Sequence, residues 1–413
     1  RGVISKDKIT RSMCTRKVSR VHQELSAIIQ NVAEAKKITD IEYNVIFGFE
    51  DVDSFASGFY KVQIRGKLNG FKVNQRIIIK WHHSVTDRAC FREAYKREYI
   101  FCNKVTPVFL NIQRTLISNE GLKYKFPNCI LSSVEYNKEV IVLHNIEGYK
   151  LFDRFQTIDF DHVLLVIKNL AKLHAFSFIT SELHPDKFEE FKQQLNKDVQ
   201  YSDIRNIPKS LIYYFNASLS VISNEKYKDK LRNISRRIAF ILNKYSAPAT
   251  KYNVICHADC WHNNIFFKYQ AIFVDYQLVR FASPVTDISY FIYMCTDFHF
   301  LSNYYDQLLD IYHGTCSAVL RECNIDIEDV YPRAVFEEQL KEHSQFGLVE
   351  ALISMKIITA ESEEAQKMTE IKRQVTNDAQ IEEYEIQNQD IFINRVNGIV
   401  NFFFERNYSL NDT

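Results

Sequence analysis

Between Ile41 and about Ile146 apolar residues recur in short, alternating runs, the period-two signature of half-buried strands. Tyr43-Asn44-Val45-Ile46-Phe47, Phe59-Tyr60-Lys61-Val62-Gln63-Ile64 and Arg76-Ile77-Ile78-Ile79-Lys80 are rich in β-branched and aromatic residues. Gly or Asn turns separate them, so each predicts a strand. Cys129 to Ser133 and Val140 to Leu143 would extend the same sheet. Thr86 to Val105 switches to helical spacing, with Thr86 or Asp87 as its cap.

After Gly148 the helical period dominates. Asp161 to Phe178 places Val163, Ile167, Leu170, Ala171 and His174 on one face. The last hundred residues read as almost wholly helical, and only Val254 to Val279 is strand-rich. The pattern describes an α+β chain. Residues 1–40 form an N-terminal extension with a helix, and residues 41–146 a small β-rich lobe with one helix. Residues 147–413 form a larger, mainly helical lobe that carries the strand-rich interval 254–279. At 413 residues the chain exceeds what one hydrophobic core usually serves, which also favours two lobes.

Composition narrows the function classes. No apolar run reads as long enough to span a membrane. The formal net charge is +1 with basic and acidic residues interspersed, which argues against a nucleic-acid partner. Nine cysteines, odd in number and without framework spacing, predict free thiols in a reducing, cytoplasmic setting. The first twenty residues are rich in Arg, Lys and Ser, with Asp7 the only acid. They read as a frayed basic terminus, with a transit peptide as the alternative.

The chemistry concentrates in Cys256-His257-Ala258-Asp259-Cys260-Trp261-His262-Asn263-Asn264. Two four-residue apolar runs follow, Ile265 to Lys268 and Ala271 to Val274, around Tyr269-Gln270. A two-residue turn there would set Ile265 opposite Val274 and Asn264 opposite Asp275. Directly opposed Cβ atoms lie roughly 4.5–5.5 Å apart, a spacing at which two oxygen ligands can share one Mg²⁺. Tyr-Gln is not a favoured two-residue turn, but a symmetric widening would keep that register. Asp259, five positions before Asn264, could accept a hydroxyl proton beside the metal. The cysteines and histidines at 256, 257, 260 and 262 lack a second pair at zinc-ligand spacing. His257 and His174 read as hydrogen-bonded structural residues.

The run His257-x-Asp259-x4-Asn264 followed by Val274-Asp275-Tyr276-Gln277 resembles the aminoglycoside/choline-kinase branch of the protein kinase-like fold. The wider run is similar to the ecdysteroid kinase-like (CHK kinase-like) family, which typically reads HGDLWxNN, then VDFQ, then SPxxDL. Here the last element is Ser283-Pro284-Val285-Thr286-Asp287-Ile288, and Leu170-Ala171-Lys172-Leu173-His174-Ala175 matches the family's LAxxHA. The likeness extends from about Ile41 to the C-terminus.

The resemblance implies a two-lobe kinase fold and an ATP- and Mg²⁺-dependent transfer of phosphate to an alcohol. The acceptor would be an ecdysteroid or another hydroxylated apolar compound, and the enzyme a monomer. Asp259 would be the catalytic base, with Asn264 and Asp275 as metal ligands. Lys80 would face the ATP phosphates and be held by Glu98, whose helical offsets place it on an apolar face. Glu93, Lys96 and Arg97 read as solvated. Ser57 and Gly58 would lie in the phosphate-covering turn, and Leu143 and Asn145 in an adenine-binding hinge. That hinge, Val142 to Gly148, lacks the family's usual Glu-Asp-Leu. Asp287 would brace the catalytic loop. A choline- or aminoglycoside-type acceptor would call for carboxylates such as Glu361, Glu363 and Glu364, which otherwise read as a solvated face. The alternative function is a silent pseudokinase acting as a scaffold; phosphate-ester hydrolysis is a third reading.

Overall fold

The structure is a computed structural model that describes residues 23–47, 58–82, 84–196, 209–247, 250–374 and 385–410. The chain divides into two compact units that interleave along the sequence. The smaller holds the described residues up to Phe47, those from Gly58 to Tyr95, and Pro127–Glu147; Lys96–Phe126 and Gly148 onward belong to the larger.

The smaller unit is built on a five-stranded antiparallel sheet of β1 (Thr39–Phe47), β2 (Phe59–Leu68), β3 (Phe71–Lys80), β4 (Cys129–Ser133) and β5 (Val140–His144). Their spatial order is β1-β2-β3-β5-β4. The alternation seen in the sequence becomes a buried face: Tyr60, Val62, Ile64, Ile77, Ile79, Val140 and Val142 pack with Leu25, Ile29 and Val32 of helix α1 (residues 23–36). Lys80 ends the central strand, opposite Phe59 on β2 and Ile141 on β5.

The expected single helix over Thr86–Val105 is instead segmented. Helix α2 (Val85–Cys90) is capped by Ser84, not Thr86 or Asp87, with the Ser84 hydroxyl accepting from the Asp87 amide at 3.4 Å. Helix α3 (Arg92–Ile100) passes through a π-turn at Phe101–Val105 into α4 (Thr106–Leu116). Within the larger unit this run is anchored by Arg97. It is buried rather than solvated, and it donates to the Leu195 and Val279 carbonyls at 2.7 and 2.9 Å. Two donated hydrogen bonds offset the cost of burying the guanidinium.

The larger unit contains α5 (Phe160–Leu183), α6 (Pro185–Leu195), α7 (Lys209–Ser220), α8 (Glu225–Ile234) and α9 (Ile238–Ser246). After the strand-rich interval come α10 (Pro284–Cys295), α11 (Phe298–Glu322), α12 (Ile327–Val330), α13 (Arg333–Thr359), α14 (Ser362–Gln374) and α15 (Gln389–Glu405). Short strands make up the interval. β6 (Lys150–Leu151), β8 (Ile265–Phe267) and β9 (Ala271–Phe273) form one sheet; β7 (Val254–Cys256) pairs with β10 (Arg280–Ala282). Contrary to the sequence reading, α5 is long and apolar enough to cross a membrane, yet 78% of that stretch is buried inside the fold. It is a core helix, apolar because most of it is enclosed by its neighbours.

Every residue of α10 is buried, and the helix packs closely on α13. A Cβ added at Gly347 would meet the Ser289 carbonyl carbon at 2.4 Å and its hydroxyl at 2.5 Å. Backbone cannot yield as a side-chain tip can, so Gly347→Ala should push the two helices apart. The expected loss is about 2 kcal/mol or more of unfolding free energy, measured by denaturant unfolding; an unchanged midpoint would contradict the close approach.

Candidate active site

The loop from His257 to Asn264 hangs on one carboxylate. Asp287, in the first turn of α10, accepts from the backbone N–H of His257 at 2.7 Å and of Ala258 at 2.8 Å. Its second contact is His174 Nε2 of α5 at 3.1 Å, and His174 Nδ1 meets the Tyr312 hydroxyl at 2.7 Å. Burial alone would raise the Asp287 pKa, but the hydrogen bond and charge of His174, the charge of His257 and the Ala258 amide outweigh it. The carboxyl therefore sits below its ordinary value, as an ionised group with several donors should. The bracing role expected of Asp287 and the core role expected of His174 both hold.

Ala258 stands where the resembled motif has Gly, and it adopts φ +68°. A left-handed alanine costs roughly 1–2 kcal/mol, so its donated bond to Asp287 holds a strained turn in place. The turn presents Asp259. His257 is structural, buried, with Nε2 3.0 Å from the Val274 carbonyl and Nδ1 accepting from the Asp259 amide at 3.3 Å.

The Asp259 carboxylate is held at both oxygens. Asn264 Nδ2 donates to Oδ2 at 2.9 Å and to the Asp259 carbonyl at 2.9 Å. The Tyr290 hydroxyl of α10 donates to Oδ1 at 2.8 Å. Burial first, and the neighbouring Asp275 charge second, push its pKa up to about 7; Glu350 of α13 adds a smaller push.

The expected hairpin register is wrong by one residue. The ladder pairs Ile265 with Phe273, Phe266 with Ile272 and Phe267 with Ala271. The connection is three residues, Lys268-Tyr269-Gln270, with the Lys268 amide bonded to the Gln270 carbonyl at 3.1 Å. An odd loop shifts every pair, so Asn264 lies opposite Val274, whose N–H donates to the Asn264 carbonyl at 3.0 Å. Asp275 is past the ladder, in the left-handed region at φ 69°, ψ 63°. A short polar residue tolerates that conformation, and the turn directs the chain into Tyr276 to Leu278. Gln277 Nε2 donates to Asp275 Oδ2 at 3.2 Å. Behind it, Tyr276 stacks on Phe101 of the π-turn with ring centroids 3.7 Å apart, and its hydroxyl is 2.5 Å from that of Tyr124. Asp259, Asn264 and Asp275 thus do converge, through a loop and a left-handed turn rather than through facing strand positions.

This donor set suits a hard divalent cation. Asn264 uses its amide nitrogen toward Asp259, which leaves its carbonyl oxygen as a ligand atom, and Asp275 supplies a carboxylate. The mutual repulsion that raises Asp259 is one a cation between the acids would relieve. Of the zinc candidates, Cys256 alone joins a group of possible metal ligands among the described residues, and its companions are His174 and Asp287, with ligand atoms within 4.8 Å of one another. The group is a hydrogen-bonded core. Burial, with the Asp287 charge behind it, keeps the Cys256 thiol protonated, and its sulfur lies 3.6 Å from the Ala282 and Ser283 carbonyls.

The remaining expected residues are divided between the units. In the smaller unit Lys80 is buried, its ammonium 5.3 Å from the Phe59 ring centroid. Gly58 has φ +121°, and a Cβ there would meet the His82 ring and the Trp81 carbonyl at 3.1 Å, so glycine is required. Ser57 lies outside the described residues. Leu143 is buried in β5 opposite Ile78; the Asn145 amide is committed to the Arg76 carbonyl at 3.0 Å. Glu98 belongs to the larger unit and is buried on α3, as its helical offsets indicated. Glu361 and Glu364 are partly buried and serve local bonds: Glu361 accepts from the Asn388 amide at 2.9 Å and Glu364 from the Glu361 N–H at 3.0 Å.

Sequence reasoning missed Tyr290, Gln277 and Glu350. Tyr290 had a usable signal, since it follows Asp287 by three residues and so shares its helical face. Glu350, in α13 and far along the chain from the motif residues, had none.

A raised Asp259 means the folded state keeps a proton that the unfolded chain has lost between about pH 4 and 7. Stability should therefore fall as pH rises through that window and level off above it. Asp259→Asn should gain about 1–2 kcal/mol on wild type between pH 4.5 and 8 in chelator, measured by chemical unfolding. A pH-independent difference would contradict the crowding of Asp259 and Asp275.

The profile of the ecdysteroid kinase-like family matches residues 51–325. Among solved structures, the chain is similar to a choline kinase from Cryptosporidium parvum Iowa II at 14% identity, over 92% of this chain and 99% of that one, with a TM-score of 0.43. It is similar to an ethanolamine kinase from Plasmodium vivax at 12% identity, over 89% and 82%, with a TM-score of 0.38. No curated protein matches it. The match spans the loop that carries Asp259, together with Asp275 and Asp287, and the α+β chain belongs to the ecdysteroid kinase-like family.

Proposed function

We propose that this protein is an ATP- and Mg²⁺-dependent small-molecule kinase that phosphorylates a hydroxyl group of an ecdysteroid or another hydroxylated apolar compound. The observation that carries the reading is Asp259: a carboxylate fixed at both oxygens, with a pKa near neutrality, beside an amide and a second carboxylate suited to a metal. A base poised near 7 combines the correct protonation state with driving force for proton transfer.

In this reading Asp259 Oδ accepts the proton of the acceptor hydroxyl as its oxygen attacks the terminal phosphorus of ATP, and the bond from that phosphorus to the β-phosphate oxygen breaks to release ADP. Asn264 and Asp275 would hold Mg²⁺, which when bound would neutralise phosphate charge. Lys80, Glu98, Ser57, Gly58, Leu143 and Asn145 are the nucleotide-binding candidates of the same reading. Phosphoryl transfer asks for little covalent chemistry, so the contribution of the chain is positioning and electrostatics. Its setting would be cytoplasmic, and its working form a monomer.

The test is transfer of labelled phosphate from ATP to a panel of hydroxylated steroids. Wild type should yield ADP and phosphorylated alcohol, and Asp259→Asn should lose activity by about 100-fold or more. Undiminished transfer by the variant would remove the base from Asp259. No transfer, together with no stabilisation by ATP and Mg²⁺ in thermal unfolding, would favour the scaffold reading.

A further inference from the structure

Helix α10 touches the catalytic loop at two places one turn apart. Asp287 grips the loop's backbone at His257 and Ala258, and Tyr290, three residues on, grips the Asp259 side chain at Oδ1. Residues at that offset share a helical face, and the whole helix is buried against its neighbours. The Tyr290 ring is only 8% exposed, so its hydroxyl is fixed by packing and does not swing with solvent. Asn264 holds the other carboxylate oxygen. With one donor on each oxygen, the Asp259 carboxylate cannot turn about its Cβ–Cγ bond without losing both.

We infer that Tyr290 is a positioning residue for phosphoryl transfer, fixing the Asp259 carboxylate in the rotamer that receives the acceptor's proton. The inference rests on the kinase reading above. Asn264 alone would leave Asp259 hinged about a single contact on the loop it belongs to. Tyr290 ties it to a helix that also sets the loop's backbone, so base and loop share one rigid reference. In this role the phenol donates to Asp259 and takes no part in moving the phosphoryl group.

Tyr290→Phe removes one hydroxyl and keeps the ring. A hydrogen bond to a charged partner that acts only by orienting the base should lower kcat by about 10- to 100-fold with the KM for ATP unchanged. The measurement is ADP release from MgATP, with water as acceptor and with the hydroxylated-steroid panel. In the Asp259→Asn background the same change should have little further effect, because the group being oriented is gone. Unfolding midpoints of the four proteins serve as the check on folding. Equal kcat for wild type and Tyr290→Phe would overturn the role alone. So would a full, additive loss in the Asp259→Asn background, which marks a general structural defect. Absence of ADP release from wild type would instead overturn the kinase reading, and this role with it.

Discussion

The carboxylate of Asp287 is the contact on which the larger unit's chemistry depends. It is fully buried, which for an ionised group is costly unless donors surround it. Here the donors are the very parts that must be positioned: the amides at His257 and Ala258, and the His174 ring from α5. The charge cannot leave this arrangement without being stranded. The strained left-handed Ala258 persists for the same reason, and it aims the next residue, Asp259, out of the core.

From that anchor the site builds outward through alternating strain and compensation. Asp259 and Asp275 raise each other's energy, and Asn264 and Tyr290 recover part of it by donating to Asp259. Gln277 does the same for Asp275. Two carboxylates brought together with an amide oxygen are a donor set that suits a hard divalent cation. The aromatic stack of Tyr276 on Phe101 sets the floor beneath Asp275, which gives the π-turn at Phe101–Val105 a reason to exist: π-turns often mark functional positions.

Much of this was legible in the sequence because the responsible forces are local. Period-two runs located every strand of the five-stranded sheet, and the helical offsets of Glu98 correctly put it on a buried face. The motif around Asp259 fixed which residues meet. How they meet was not legible. Pairing register depends on loop length, and Tyr269-Gln270 gave no strong turn preference, so an odd loop of three residues displaced Asp275 from the strand. Arg97 looked solvated because its partners, the Leu195 and Val279 carbonyls, lie 98 and 182 residues away. Glu350 escaped notice for the same reason. The apolar length of α5 was also underestimated, since His174 and Asn169 broke up the run yet are buried.

The central claim is that Asn264 and Asp275 hold a divalent cation beside Asp259. Mn²⁺ reports its own binding through its paramagnetic resonance signal, so titrating it into the protein with ADP present tests the claim most directly. The account predicts saturable Mn²⁺ binding to wild type that Asp275→Asn abolishes while the unfolding midpoint in chelator is maintained or raised. Equal Mn²⁺ affinity in the two proteins would contradict it.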